Sequence, residues 1–251
     1  MTATVYRDRQ TLCAEAAFRI EQLIAAALEA RGQATVCLTG GSTARDVYEA
    51  IAAHERHVPR LAWNHVRFFW GDERDVPADH PDSNYGMAAA ALLAHIPVND
   101  TWVHPIPADG RDAETAARVY GVTLQQTVFA SPAKHTFDLT LLGVGADAHI
   151  ASLFPGAAAL EQSSVERVVV VPAAGNRGRR VTLTPATLLD ARRILVMVSG
   201  RDKGDAVRAA FSEPEDVTRW PAQLLRRAGD RVEWLMDSAA DGRARAARPS
   251  R

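Results

Sequence analysis

The chain predicts an α/β fold, a single domain with a parallel-dominated sheet and helices on both faces. Short apolar strands alternate with amphipathic helical runs, the pattern of a sheet whose crossovers are helices. Three strand-like runs pass directly into glycine turns, LTGGST at 38–43, FFWGDER at 68–74 and LLGVGADAH at 141–149. Such turns set polar side chains at the carboxyl edge of a sheet, where open α/β folds hold their ligands. A length of 251 residues suffices for a substantial core without disulfides or metal.

Each element follows from local pattern. In residues 11–30, Leu12, Ala16, Ile20, Leu23, Ala27 and Leu28 recur at helical spacing, with Arg19, Glu21 and Glu29 available to the opposite face. Residues 34–38 form a short apolar strand that meets Gly40-Gly41-Ser42-Thr43, followed by a helical run at 46–53. Residues 66–70 repeat the strand and open into Gly71-Asp72-Glu73-Arg74. A polar, proline-containing loop then leads to an alanine-rich helix near 85–95. A helix at 112–128 precedes a strand at 137–142, and residues 168–171, 181–183 and 194–198 read as further strands. Gly200-Arg201-Asp202-Lys203 starts a helix that runs to Phe211, and 231–236 supplies the last strand. There is no internal repeat and no long linker, so residues 1–241 are expected to form one domain. Residues 242–251 read as a solvated, disordered basic tail carrying Arg243, Arg245, Arg248 and Arg251.

Composition narrows the function. Lys plus Arg number 29 against 30 Asp plus Glu, a net charge of -1, so no global field favours nucleic acid or an anionic membrane. Any anion site must therefore be local. The two cysteines, Cys13 and Cys37, fall in a helix and a buried strand without a CxxC motif, which fits a reducing cytoplasm. No apolar run reaches the roughly 18 residues of a membrane span.

Four groups of residues are suited to chemistry. Gly40, Gly41, Ser42 and Thr43 join a strand to a helix, so backbone N–H groups and hydroxyls converge on the positive end of a helix dipole, as in a phosphate cradle. The spacing matches neither a nucleotide P-loop nor a dinucleotide fingerprint, which argues for a smaller phosphorylated ligand. A plain N-cap at Ser42 or Thr43 is the alternative. Asp72, Glu73 and Arg74 crowd a strand end and either pair with one another or face a ligand. Ser83 or Asn84 reads as a helix cap. Asp147 and His149 lie two residues apart, where the imidazole takes a proton from water and the carboxylate orients it. The eight histidines are scattered, which disfavours zinc, and no nucleophile elbow surrounds Ser152. Arg180 and Lys203 either complete the anion site or are surface charge.

Taken in order, LTGGST, FFWGDERDVPADHPDSNY, DLTLLGVGADAHIASLFPG, RRVTLT and SGRDKGDAV resemble the 6-phosphogluconolactonase family, and WPAQLL with VEWLMDSAA resembles its last helix and strand. The resemblance implies a Rossmann-like fold related to glucosamine-6-phosphate deaminases and isomerases. It implies hydrolysis of 6-phospho-D-glucono-1,5-lactone, a sugar phosphate lactone, without metal or organic cofactor; a monomer or small homo-oligomer is expected, the sequence itself not revealing which. By the same resemblance His149 is the general base and Asp147 its orienting group. Asp72 binds sugar hydroxyls or holds Arg74. Ser42, Thr43, Arg180 and Lys203 bind the phosphate. The oxyanion donors are Arg74 or the N–H groups of the Gly40–Gly41 turn.

Two departures stand out: Ala148 replaces the family's Gly between Asp and His, and Ala44 replaces the Pro after GGST. If the backbone at 148 needs a positive φ, Ala adds roughly 1 kcal/mol of strain. The rival readings are an amino-sugar-phosphate deaminase and a non-catalytic sugar-phosphate sensor. The deaminase pattern has an acid shortly after the His, where this chain has Ser152-Leu153-Phe154-Pro155.

Overall fold

The computed structural model of the protein describes residues 1–57, 61–129, 135–161 and 166–242. The expected basic tail from Arg243 onward lies outside the described residues. The elements in order are β1 (Thr2–Tyr6), α1 (Arg9–Arg31), β2 (Ala34–Leu38), α2 (Ser42–His57), β3 (Val66–Trp70), β4 (Asp72–Arg74), α3 (Asn84–Ala91) and α4 (Ala113–Thr127). They continue with β5 (Phe137–Leu142), β6 (Val168–Val171), β7 (Arg180–Leu183), α5 (Pro185–Leu189), β8 (Ala191–Val198), α6 (Gly204–Ser212) and β9 (Val232–Asp237).

Six strands form one parallel sheet in the order β1-β9-β8-β5-β2-β3, flanked by helices. Its central strands are near-continuous apolar runs because both of their faces are covered. Phe68, Phe69, Trp70, Phe137 and Trp234 are fully buried in the core. Leu38 registers with Trp70, Cys37 with Thr140 and Leu142 with Val196. In-register parallel pairing brings the carboxyl ends of β2, β3, β5 and β8 out at one edge, where their glycine turns meet.

The other three strands correct the sequence reading. β6 and β7 do not extend the parallel sheet; they pair antiparallel with each other and with β4, in the order β4-β7-β6. The segment Asp72–Arg74 carries no apolar signal, and its strand conformation comes from partners Thr182, Val181 and Arg180. β1 also lacks a strong pattern, since its exposure alternates between half-buried and exposed, and it is fixed by pairing with β9 from Thr2↔Glu233 to Tyr6↔Asp237.

Helix ends shifted for local reasons. The Asp8 carboxylate accepts the Thr11 N–H at 2.8 Å and starts α1 two residues before the apolar periodicity. The Arg45 N–H bonds Gly41 O at 3.0 Å, so α2 begins directly from the glycine turn rather than at residue 46. α3 ends at Ala91, and a short 3₁₀ turn takes its place up to His95. Lys203 closes a 3₁₀ turn before α6, and the expected last helix is a 3₁₀ segment, Pro221–Arg231, interrupted at Gly229.

Two buried tyrosines fix the ends of adjacent strands. Tyr48 of α2 accepts the Thr39 N–H at 3.1 Å and donates to Thr39 O at 2.9 Å. Tyr120 of α4 does the same for Trp70, at 2.8 and 3.0 Å. Each clamp holds the backbone immediately before a glycine turn of the site.

Candidate active site

A cavity of about 370 Å³ opens where these turns meet, lined by Gly40, Gly41, Ser42, Thr43, Asp72, Arg74, His149, Arg180 and Lys203. The structure thus brings these nine candidates to one cavity, whereas Glu73 and Asp147 are not part of its lining. Residues from the parallel sheet edge and from the small antiparallel sheet face the same space.

The imidazole of His149 lies on the rim with its Nδ1 2.5 Å from Asp147 Oδ1. With Nδ1–H donated to the carboxylate, Nε2 carries the free lone pair. The hydrogen bond from His149 holds the Asp147 carboxyl down at about 2, well below the usual carboxylate range. The turn is closed by the Gly145 N–H to His149 O at 2.9 Å and the Ala148 N–H to Gly145 O at 2.9 Å. A Cβ on Gly145 would come within 2.1 Å of His149 Nδ1 and 2.6 Å of Asp147 Oδ1, so only glycine lets the pair fold back over the turn. Ala148 does sit at φ +66°, and its fully buried methyl occupies the core while its carbonyl accepts the Ala222 N–H at 2.8 Å.

The adjacent carboxylates that open β4 have different environments. Asp72, 6% exposed, accepts Ser152 Oγ–H at 2.6 Å and Asn84 Nδ2–H at 3.3 Å, and it lines the cavity. Glu73 faces away. It accepts the backbone N–H groups of Arg74, Asn84 and Tyr85, each at 2.7 Å, and Ser83 Oγ–H at 3.1 Å. Burial pushes its carboxyl pKa up in spite of those donors. Glu73 is thus the structural member of the cluster, while Ser83 caps α3 by accepting the Gly86 N–H.

The Asn84 side chain does not cap α3 but fills the space beside Gly40, where a Cβ would sit 1.8 Å from its Oδ1. This contact joins the Gly40 turn to Asp72. Ser42 and Thr43 are the first residues of α2 and not its cap, because Gly41 O receives the first helical bond.

Arg74 and Arg180 are cross-strand partners on β4 and β7, and the Nε of each is buried without a hydrogen-bond partner among the described residues. Arg74 Nη1 donates to the Asp82 carbonyl. Burial, and then the Arg74 charge, lower the Arg180 pKa from its usual value. Lys203 Nζ lies 3.1 Å from Asp202. The turn before it is held by the buried Asp237 carboxylate, which accepts Ser199 Oγ–H at 2.5 Å and the Gly200 N–H at 3.2 Å. Sequence reasoning missed Asp237, Tyr120 and the Asp72–Ser152 bond, which act across long separations, and Tyr48, whose bonds to Thr39 depend on how α2 packs against β2. Among the described residues no three His, Cys, Asp or Glu side chains converge in a metal-holding cluster.

A cation-lined cavity at the carboxyl edge of a six-stranded parallel sheet, with a carboxylate-oriented imidazole on its rim, defines a Rossmann-like α/β enzyme with a site for a small anionic ligand. Residues 7–234 match the family model described as glucosamine-6-phosphate isomerases/6-phosphogluconolactonase, and the chain belongs to that family. It is 36% identical over 237 residues to 6-phosphogluconolactonase of Synechocystis, covering 93% of this chain and 94% of the relative. The solved 6-phosphogluconolactonase of Trypanosoma brucei superposes with a TM-score of 0.82 at 32% identity, covering 95% and 97% of the two chains. A monomeric glucosamine-6-phosphate deaminase shares the fold, with a TM-score of 0.79 at 21% identity over 96% and 98%.

Proposed function

We propose that the protein hydrolyses 6-phospho-D-glucono-1,5-lactone to 6-phospho-D-gluconate, the second step of the oxidative pentose phosphate pathway. The observation that carries this reading is the His149–Asp147 pair, 2.5 Å apart, on the rim of a cavity that also holds Arg74, Arg180 and Lys203. Nε2 of His149 takes a proton from water as its oxygen attacks C1 of the lactone. The carbonyl electrons move onto oxygen, and Arg74 or the N–H groups at Gly40–Gly41 stabilise that oxyanion. Collapse breaks the bond from C1 to the ring oxygen, which receives the proton from His149 as the carboxylic acid forms and ionises. Ser42, Thr43, Arg180 and Lys203 hold the 6-phosphate, which fixes the distance from the anchored end to C1. Asp72 accepts from sugar hydroxyls.

The deaminase reading is less well supported. The imidazole partner is Asp147, which precedes it, and Ser152 after it is spent on Asp72. The unpaired, buried Cys13 and Cys37 fit a cytoplasmic enzyme, and no described helix is long and apolar enough to cross a membrane. We take residues 1–241 as one domain that acts alone or in a small homo-oligomer on a small-molecule substrate, without nucleic acid.

The test generates the lactone in place from glucose 6-phosphate and its dehydrogenase. Its disappearance is then followed above spontaneous hydrolysis, with wild type and His149→Ala. Acceleration by the wild type alone is expected. Equal acceleration by both would remove His149 as base, and none by either would remove the lactonase reading.

A further inference from the structure

The tip of the hairpin between β6 and β7 carries a cation that the mechanism above does not use. Arg177 exchanges both backbone hydrogen bonds with Ala174, at 3.1 and 3.0 Å, across the two-residue turn Gly175–Asn176. Its neighbours on the tip, residues 172–176 and Gly178, are exposed, whereas Arg177 is half-buried and lines the cavity. The guanidinium carbon lies 3.9 Å above the Phe154 ring, and that ring packs 4.5 Å from the His149 imidazole. Arg177 therefore stands one aromatic ring away from the proposed base.

The charges around the cavity are not equally committed. Lys203 is beside Asp202, and Arg74 is tied to the Asp82 carbonyl. Arg177 makes no ion pair among the described residues, and its guanidinium lies over the Phe154 ring. A guanidinium stacked on a ring keeps its N–H groups in the ring plane's direction free to meet a planar anion. The backbone is already fixed by the hairpin, so little further ordering is needed for such a contact.

From this placement we propose that Arg177 forms a carboxylate subsite: it binds the C1 carboxylate of the open-chain sugar acid phosphate at the His149 end of the cavity. The inference rests on the lactonase reading and deepens it. The lactone brings one anionic group, its phosphate; hydrolysis creates a second at C1, next to the base. A free cation there favours the charge that develops during ring opening and holds the product after it.

The test compares two ligands that differ only at C1: 6-phosphogluconate, with a carboxylate, and glucitol 6-phosphate, with a hydroxymethyl group. Calorimetry measures both with wild type, Arg177→Met and Arg177→Lys. The wild type is expected to prefer 6-phosphogluconate, Arg177→Met to reduce that preference at least tenfold, and Arg177→Lys to retain part of it. An unchanged preference in Arg177→Met, or an equal weakening of both ligands, would overturn the subsite. Turnover is measured separately, so failure of the lactonase reading appears as absent hydrolysis with the carboxylate preference intact.

Discussion

Arg74 and Arg180 face each other as register partners across β4 and β7, two like charges on one wall of the cavity. Directly opposed like charges destabilise a strand pair by roughly 0.2–1 kcal/mol. Burial adds to the cost, since each Nε lacks a hydrogen-bond partner among the described residues. On the proposed function, a phosphate bound against Arg180 would offset that cost.

Arg180→Met is therefore expected to leave the ligand-free protein equally stable or more stable, by up to about 1 kcal/mol. The same change should weaken 6-phosphogluconate by about 1–3 kcal/mol. Thermal unfolding with and without the ligand measures both effects. A variant that loses stability without ligand yet keeps its ligand-induced stabilisation would contradict this role.

Asp147→Asn should lower kcat by about 10²-fold or more while sparing product affinity, because an amide does not stabilise the imidazolium as a carboxylate does. The pH dependence has a definite sign. The folded Asp147 carboxyl is depressed to about 2 from its ordinary 3.8, so its contribution to stability is present above 3.8 and disappears as pH falls towards 2. The stability difference between wild type and Asp147→Asn should shrink over that window in acid titrations. A difference that is constant from pH 5 to pH 2 would count against the pair.

Glu73→Ala should destabilise the fold by roughly 2–4 kcal/mol, since it strands buried N–H groups at the start of α3. Asp72→Ala should instead reduce turnover more than it reduces stability. Denaturant titrations alongside kinetics distinguish the neighbours, and identical profiles for the two variants would refute the division of labour.

Ala148→Gly should change stability by less than about 1 kcal/mol. Relief of the positive φ gains roughly 1–2 kcal/mol, while glycine's extra chain entropy costs about 0.5–1 and the lost buried methyl about 0.8. These terms nearly cancel, and kcat should hold because His149 already occupies its place. A large gain in activity would mean that Ala148 displaces the base.

The parallel sheet was legible in sequence because its buried strands are apolar on both faces, as at residues 34–38, 66–70 and 137–142. The small sheet was not: Asp72–Arg74 becomes a strand only through partners more than a hundred residues away. Glycine turns announced the cavity, and all nine cavity-facing candidates converge there. Arg177 went unnoticed, being one arginine among several in a polar loop, with no periodicity to mark it. Glu73 and Asn84 show the same limit. Which of two adjacent polar residues turns inward is decided by the helix or strand packed against them.

The pairing of β1 with β9 also bears on how the chain acquires its shape. Thr2 sits opposite Glu233, so β1 has no seat until β9 has been made. Until then α1, with Leu12, Ile20 and Ile24 on its buried face, follows a strand that is itself undocked. Such long-range closure is slow and leaves apolar surface uncovered in the meantime. In pulse-labelled hydrogen exchange during refolding, the amides of β1 should gain protection after those of β2, β5 and β8, making β1 the last edge of the sheet to be sealed.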